Sequence, residues 1–283
     1  MSTSTTTITF DPDAPYPLIP ITTTTCNFHD PSSFAQSFAT SLALTHNTIL
    51  RALNSIWLNA PLLSSDSPED TSAFAGYALS CASMIRHTHG DVQERIVFPR
   101  LQEKLDMRAN VLQHLGFEKE LCAFEEYFRA VRDGETVYES ERALSVRAEL
   151  GSKLVDHLHQ EPTTMSPNKL YAFSKQELTD LAHAIEEHDK DCWKSSATLL
   201  PFLITHHQKE DAPDWPVIPS SVRWIVDHVG FHVHKSYWRF SPFTEAGDFH
   251  TYYHDAKPDH DKDDDSSSFK LELPSRGVLQ SWH

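Results

Sequence analysis

Four histidines, His46, His89, His114 and His157, fall on the apolar faces of four successive stretches with helical periodicity. Three of them have a polar residue four positions on: Gln93, Glu118 and Glu161. Four positions along a helix is one turn plus about 40°, so each pair projects from a single face. An apolar face must be buried, and a buried polar group is costly unless it is hydrogen-bonded, paired or bound to a metal. The pattern therefore constrains the fold to bring these faces together. Inward-pointing His and carboxylate groups on facing helices are how helix bundles build metal sites.

The periodicity predicts an all-α chain. A first helix is expected over 32–59, with Phe38, Leu42, Ile49, Leu53 and Ile56 forming a stripe that contains His46. A second is expected over 69–98, with Ala78, Cys81, Ile85, Val92 and Ile96 inward beside His89 and Gln93, and Pro99 as a stop or kink. On this helix His87 lies about 200° from His89 and shares a face with Asp91 and Glu94, which predicts a solvated side chain. A third helix over 107–132 places Val111, His114, Phe117, Glu118 and Leu121 on one face. A fourth over 138–160 aligns Leu150, Leu154, His157 and Glu161, with Pro162 ending it and Glu161 at its margin. Ser174 and Glu177 have the spacing of a capping box that opens a fifth helix to about 195, and a sixth is expected over 220–237.

The expected organisation is an extended Thr- and Pro-rich arm over 1–31, a bundle over 32–162, a helical extension over 163–245 packed on it, and an acidic, largely disordered tail over 246–283. With 40 acidic against 24 basic residues the formal net charge is −16, which repels phosphate backbones and argues against a nucleic-acid partner. No run approaches the roughly 18 apolar residues of a membrane span, and MSTSTTTITF lacks the basic start and apolar run of a secretory signal. Cys26, Cys81, Cys122 and Cys192 are widely spaced, as expected of free thiols in a reducing compartment. A cytoplasmic protein is the expectation. Of the other histidines, His183, His188, His206, His207 and His228 read as satisfied or surface groups, His159 as facing away from the His157 row, and the Trp and Phe residues of 193–243 as packing. No Gly-rich phosphate loop is present, and no context supports a nucleophilic serine.

Four segments carry a family resemblance. THNTILRALNSIW resembles the first helix of hemerythrin-like (HHE cation-binding) domains, and HTHGDVQERIVFPRL resembles their second-helix signature, which ends in Phe-Pro. LQHLGFEKEL and LVDHLHQEP are similar to the third and fourth helices. The stretch from LPFLITHH to RWIVDHVGFHVHKSYWRFSP looks like the extension carried by the filamentous-fungal members. The resemblance spans about residues 17–245. It implies an antiparallel four-helix bundle of hemerythrin type around a non-haem iron centre, di-iron or mononuclear, in proteins that bind O2, sense oxygen or iron, or repair iron sites. Carried over position by position, the metal ligands fall on His46, His89, Gln93, His114, Glu118, His157 and Glu161. Gln93 stands where the family has a bridging Glu, and Glu118 where it has a His. Imidazole with carboxylate also suits Mn and Zn.

Three functions are compatible with this reading. The first is a metal-binding protein of hemerythrin type, for O2 or metal binding and sensing. The second is an oxidative or accessory enzyme of fungal specialised metabolism that acts on a small organic molecule through a variant centre. Exchange of His for Glu118 would shift a His-rich, O2-binding set toward O2 activation. The third is a metal-free helical scaffold, which predicts direct hydrogen bonds among the seven polar residues in a dry core.

Overall fold

The computed structural model describes residues 15–21 and 33–250, apart from position 196 and the side chains of 191–195. Helix α1 spans Phe34–Asn59 and α2 spans Pro68–Ile85. The chain then runs on as a π-helical segment, Arg86–Val97, and a last helical turn, Phe98–Leu101. Helices α3 (Arg108–Arg132), α4 (Ser140–Thr164), α5 (Lys175–Ser195) and α6 (Leu199–His206) follow. Among the described residues there is no strand, only an isolated bridge between Phe243 and Phe249. No helix among them is long and apolar enough to cross a membrane.

The four long helices form a ring of contacts: α1 packs on α2 and α4, and α3 packs on α2 and α4. Leu50, Leu53, Phe74, Tyr77, Phe124, Phe128, Leu150 and Leu154 fill the space between them. Helix α1 is buried on nearly all sides rather than along one stripe. Its polar residues are satisfied by neighbours. Asn54 accepts from the Tyr16 backbone N–H at 2.6 Å and donates to the Tyr16 carbonyl at 2.9 Å, and Asn47 does the same for Ile19. Two amides thus hold residues 15–21 against α1 in the manner of a sheet neighbour. Gly151 on α4 leaves the room that the Tyr16 ring occupies, since a Cβ there would meet the phenol oxygen.

The buried Arg51 guanidinium donates to the His206 carbonyl, Gln208 and Asp211, tying the segment after α6 to α1. Gly76 on α2 makes way for the Tyr237 ring in the same fashion. Ser174 and Glu177 form the capping box at the start of α5, with Glu177 Oε2 accepting from the Ser174 N–H at 2.6 Å. The expected arm over 1–31 is described only at 15–21, where Tyr16 and Ile19 are buried. Of the acidic tail, 251–283 lies outside the described residues, as do the thiols of Cys26 and Cys192.

Two helix expectations are corrected. Pro162 does not end the fourth helix. Helix α4 runs through it to Thr164, so Glu161 is not marginal but wholly buried. The second helix is not α-helical past Ile85. From there the Phe98 N–H, for example, bonds to the Gln93 carbonyl five residues back. Pro99, which has no N–H, follows directly.

Candidate metal centre

Helices α1, α3 and α4 and the π-helical segment after α2 each deliver a histidine to the interior. The rings of His46 and His89 have centroids 5.7 Å apart, His89 and His157 5.0 Å, and His114 and His157 4.7 Å. Glu161 joins them from α4, with Oε2 3.1 Å from His46 Nε2 and 3.7 Å from His157 Nε2, and Oε1 3.8 Å from His114 Nε2. Two overlapping triads of ligand atoms result: His89 with His114 and His157, and His46 with His89 and Glu161.

The outer nitrogens set the chemistry. His46 Nδ1 donates to the Leu158 carbonyl at 2.8 Å, and His89 Nδ1 to the Ile85 carbonyl at 2.9 Å. His114 Nδ1 donates to Glu94 at 2.8 Å, and His157 Nδ1 to the Gln113 side-chain oxygen at 3.0 Å. All four partners are acceptors, so each Nδ1 keeps its proton and the Nε2 of each neutral ring turns a lone pair inward. His89 Nε2 is buried without a hydrogen-bond partner, and His46 Nε2 faces the Glu161 carboxylate at 3.1 Å. His114 Nε2 and His157 Nε2 face each other at 3.2 Å, where a mutual hydrogen bond would cost one of the outer bonds. Outer partners of this kind are what orient histidines around a metal.

Electrostatics point the same way. Burial, reinforced by the adjacent imidazoles, holds His89 and His157 well below the ordinary histidine value. Burial lowers His114 as well, against the pull of Glu161 and Glu94. Burial alone would raise Glu161, but His46 and the other imidazoles outweigh it and keep the carboxyl below its usual range. Gln93 donates to Glu161 at 2.7 Å and Asn110 at 3.2 Å. Among the described residues no Lys or Arg pairs with this buried carboxylate. An ion with bonds of about 2.0–2.2 Å spaces its ligands roughly 3–3.5 Å apart, close to the separations here. The donor set fits a transition-metal ion.

Of the seven residues proposed from sequence, His46, His89, Gln93, His114, His157 and Glu161 converge. Gln93 is in position as a hydrogen-bond donor to Glu161, and its own side-chain oxygen has no partner. Glu118 is a correction. It is 49% exposed and lies 3.0 Å from Arg86, outside the core. Phe117 takes the inward position on that turn and packs against His114 and His157. The imidazole–carboxylate pair on α3 is instead His114 with Glu94, from the π-helical segment.

Other groups were missed. Asn110 lies one turn before His114 on the same buried face, so the helical period signalled it. Gln113 is adjacent in sequence to His114, and no periodic signal marks it. His87 is the second correction, buried rather than solvated: its Nε2 lies 3.3 Å from Asp189 and its ring stacks on His188 at 5.7 Å. Helix α5 covers the face that was expected to meet water. His87, Asp91 and His188 form a further group of metal-ligand type. His206 is a satisfied core group, donating to the Phe202 carbonyl and accepting from the Tyr77 hydroxyl at 2.7 Å. His159 turns outward to the Pro17 carbonyl at 3.0 Å.

A cavity of about 340 Å³ lies between α1, the π-helical segment and α5. Phe34, Phe38, Leu42, Val92, Ile185 and Trp215 supply apolar wall, and Gln93 is part of its lining. The same Gln93 side chain touches Glu161, so one residue separates the cavity from the histidine cluster.

No protein-family model matches the chain, and no solved structure matches it. Over 223 residues it is 24% identical to the dimeric xanthone biosynthesis cluster protein R11 of Cryptosporiopsis sp. (strain 8999), covering 76% of this chain and 82% of that relative.

Proposed function

We propose that the chain is a hemerythrin-like non-haem metal protein whose ring of four helices is a bundle of hemerythrin type. The observation that carries this reading is the set of four imidazoles with their Nδ1 atoms bonded outward and their Nε2 atoms converging beside one buried carboxylate. The third function, a scaffold held by direct hydrogen bonds within the core, is favoured by the Gln93–Glu161, His46–Glu161 and His114–His157 contacts, and the unpartnered Nε2 of His89 weighs against it. With Glu118 on the surface, Glu161 is the single carboxylate at the centre. Two divalent ions would place four positive charges against one negative charge in a buried core, which is prohibitive. A mononuclear centre is the better fit, with iron the first candidate and Mn or Zn the alternatives. Four imidazoles to one carboxylate is a His-rich set, which favours reversible binding of O2 or another small ligand over activation. Metal analysis of purified protein, with optical spectra under air and after reduction, tests this. About one metal ion per chain, lost in His157→Ala, is expected, and metal-free protein after expression with iron, manganese and zinc would overturn it.

A second reading is an accessory enzyme of fungal specialised metabolism. It is favoured by the cavity abutting Gln93 and by the relative, whose name places it in a xanthone biosynthesis cluster. Turnover of a small organic substrate that depends on the metal would separate it from simple binding.

A further inference from the structure

The polar groups of the cavity define what it would hold. Four of its lining residues, His87, Thr88, Gln93 and Asp189, each have a buried side-chain polar atom with no hydrogen-bond partner, Nδ1, Oγ1, Oε1 and Oδ1, and the first three residues are 9%, 6% and 3% exposed. An unsatisfied buried polar atom costs about 1–3 kcal/mol, so four around one cavity mark a place where a ligand completes the bonding. Gln93 Oε1 can only accept, because its amide nitrogen already donates to Glu161. His87 has its Nε2 toward Asp189, which leaves Nδ1 as an acceptor. Three acceptors, Asp189 Oδ1 among them, and a hydroxyl call for a ligand that brings O–H donors. Asp189 and Glu186 in the lining disfavour an anionic ligand. Most of the remaining wall is apolar and includes Trp215 and the Phe34 and Phe38 rings, which stack at 25°.

We propose that this cavity binds a small, neutral, hydroxylated aromatic molecule, with its hydroxyls on Gln93, Thr88 and His87 and its rings between Phe34, Phe38 and Trp215. This rests on the second reading above and names its substrate class. The hydroxyl held by Gln93 would be one side chain away from Glu161 and the centre.

The test is a fluorescence titration of the full chain with 2-naphthol, set against naphthalene, which has the same rings and no hydroxyl. The expected result is 2-naphthol binding at least about tenfold tighter than naphthalene. Thr88→Val, which keeps shape and removes the hydroxyl, is expected to weaken 2-naphthol by about fivefold and leave naphthalene unchanged. Ala182→Trp, on the α5 side of the cavity, is expected to abolish both, with its melting curve confirming a folded chain. Equal affinity for the two probes, no binding of 2-naphthol, or full binding in folded Ala182→Trp would overturn the proposal. Metal content of the same samples keeps the two readings apart. Selective 2-naphthol binding by metal-free protein supports the cavity and sinks the centre, and metal retained without 2-naphthol binding does the reverse.

Discussion

His46 donates its Nδ1 proton to the carbonyl of Leu158, and that carbonyl is free because Pro162, four residues on, has no N–H to give it. A proline that breaks one bond of α4 thereby fixes the tautomer of a histidine on α1. Pro162→Ala would return a backbone N–H to Leu158 and compete with His46. The helix should lose nothing in stability, since a proline is removed from its interior. Metal affinity should fall by about tenfold, the usual cost of losing an outer partner of a ligating histidine. Competition with a chelator, read beside the melting temperature, checks both. Unchanged affinity would mean that the Leu158 contact does not position His46.

Gln93→Glu would set a second carboxylate where the amide now donates to Glu161 at 2.7 Å. Without metal, two like charges would be buried together, and destabilisation of several kcal/mol is expected. With metal, the added charge should raise affinity and allow a second ion. The sign of the melting-temperature change with and without added iron is the measurement. A lowered temperature in both conditions would show that no cation enters the core.

Glu118→Ala should leave metal content untouched. Its loss removes a half-exposed contact to Arg86, worth about 0–1 kcal/mol. Metal analysis of this variant against Glu161→Gln separates the residue that resembles a ligand in sequence from the one in the core. A drop in occupancy for Glu118→Ala would place it back at the centre.

The lowered values of His89, His114 and His157 set a pH dependence for the metal-free protein. Below about 6.5 the unfolded chain takes up protons on these groups while the fold does not, so stability should decline as pH falls through that value. The depressed carboxyl of Glu161 adds a second loss in the same direction, below about 4.3. Bound metal should delay the first decline, because it binds the folded state and competes with the same protons. Denaturant midpoints between pH 5 and 8, with and without chelator, test this. A flat profile for metal-free protein would contradict it.

Helical period alone located His46, His89, His114, His157 and Glu161, because burying an apolar stripe carries any polar residue on it inward. It failed where an unforeseen neighbour decides. Glu118 stands to His114 as Glu161 does to His157, but Phe117 fills the inward slot on that turn and Arg86 meets Glu118 outside. His87 lay on a face that reads as solvated until α5, far along the chain, covers it. The π-helical turn was not legible, because no residue pattern separates it from an α-helix that stops at a proline. Gln113 and Glu94 became visible only when α3 and the π-helical segment were side by side.

The burial of the centre also governs time. His46, His89, His157 and Glu161 are at most 2% exposed, so an ion held there would reach solvent only past the side chains packed around it, Gln93 on the cavity side among them. Exchange then waits for the bundle to open, and opening is a fraction of the unfolding equilibrium rather than a surface event. The metal found after purification would record which ion was on hand as the chain folded, not which one binds most tightly. Refolding in a chosen metal, rather than soaking the folded protein, is the way to set its identity. Isotope exchange no faster than global unfolding would be the mark of such a trapped ion.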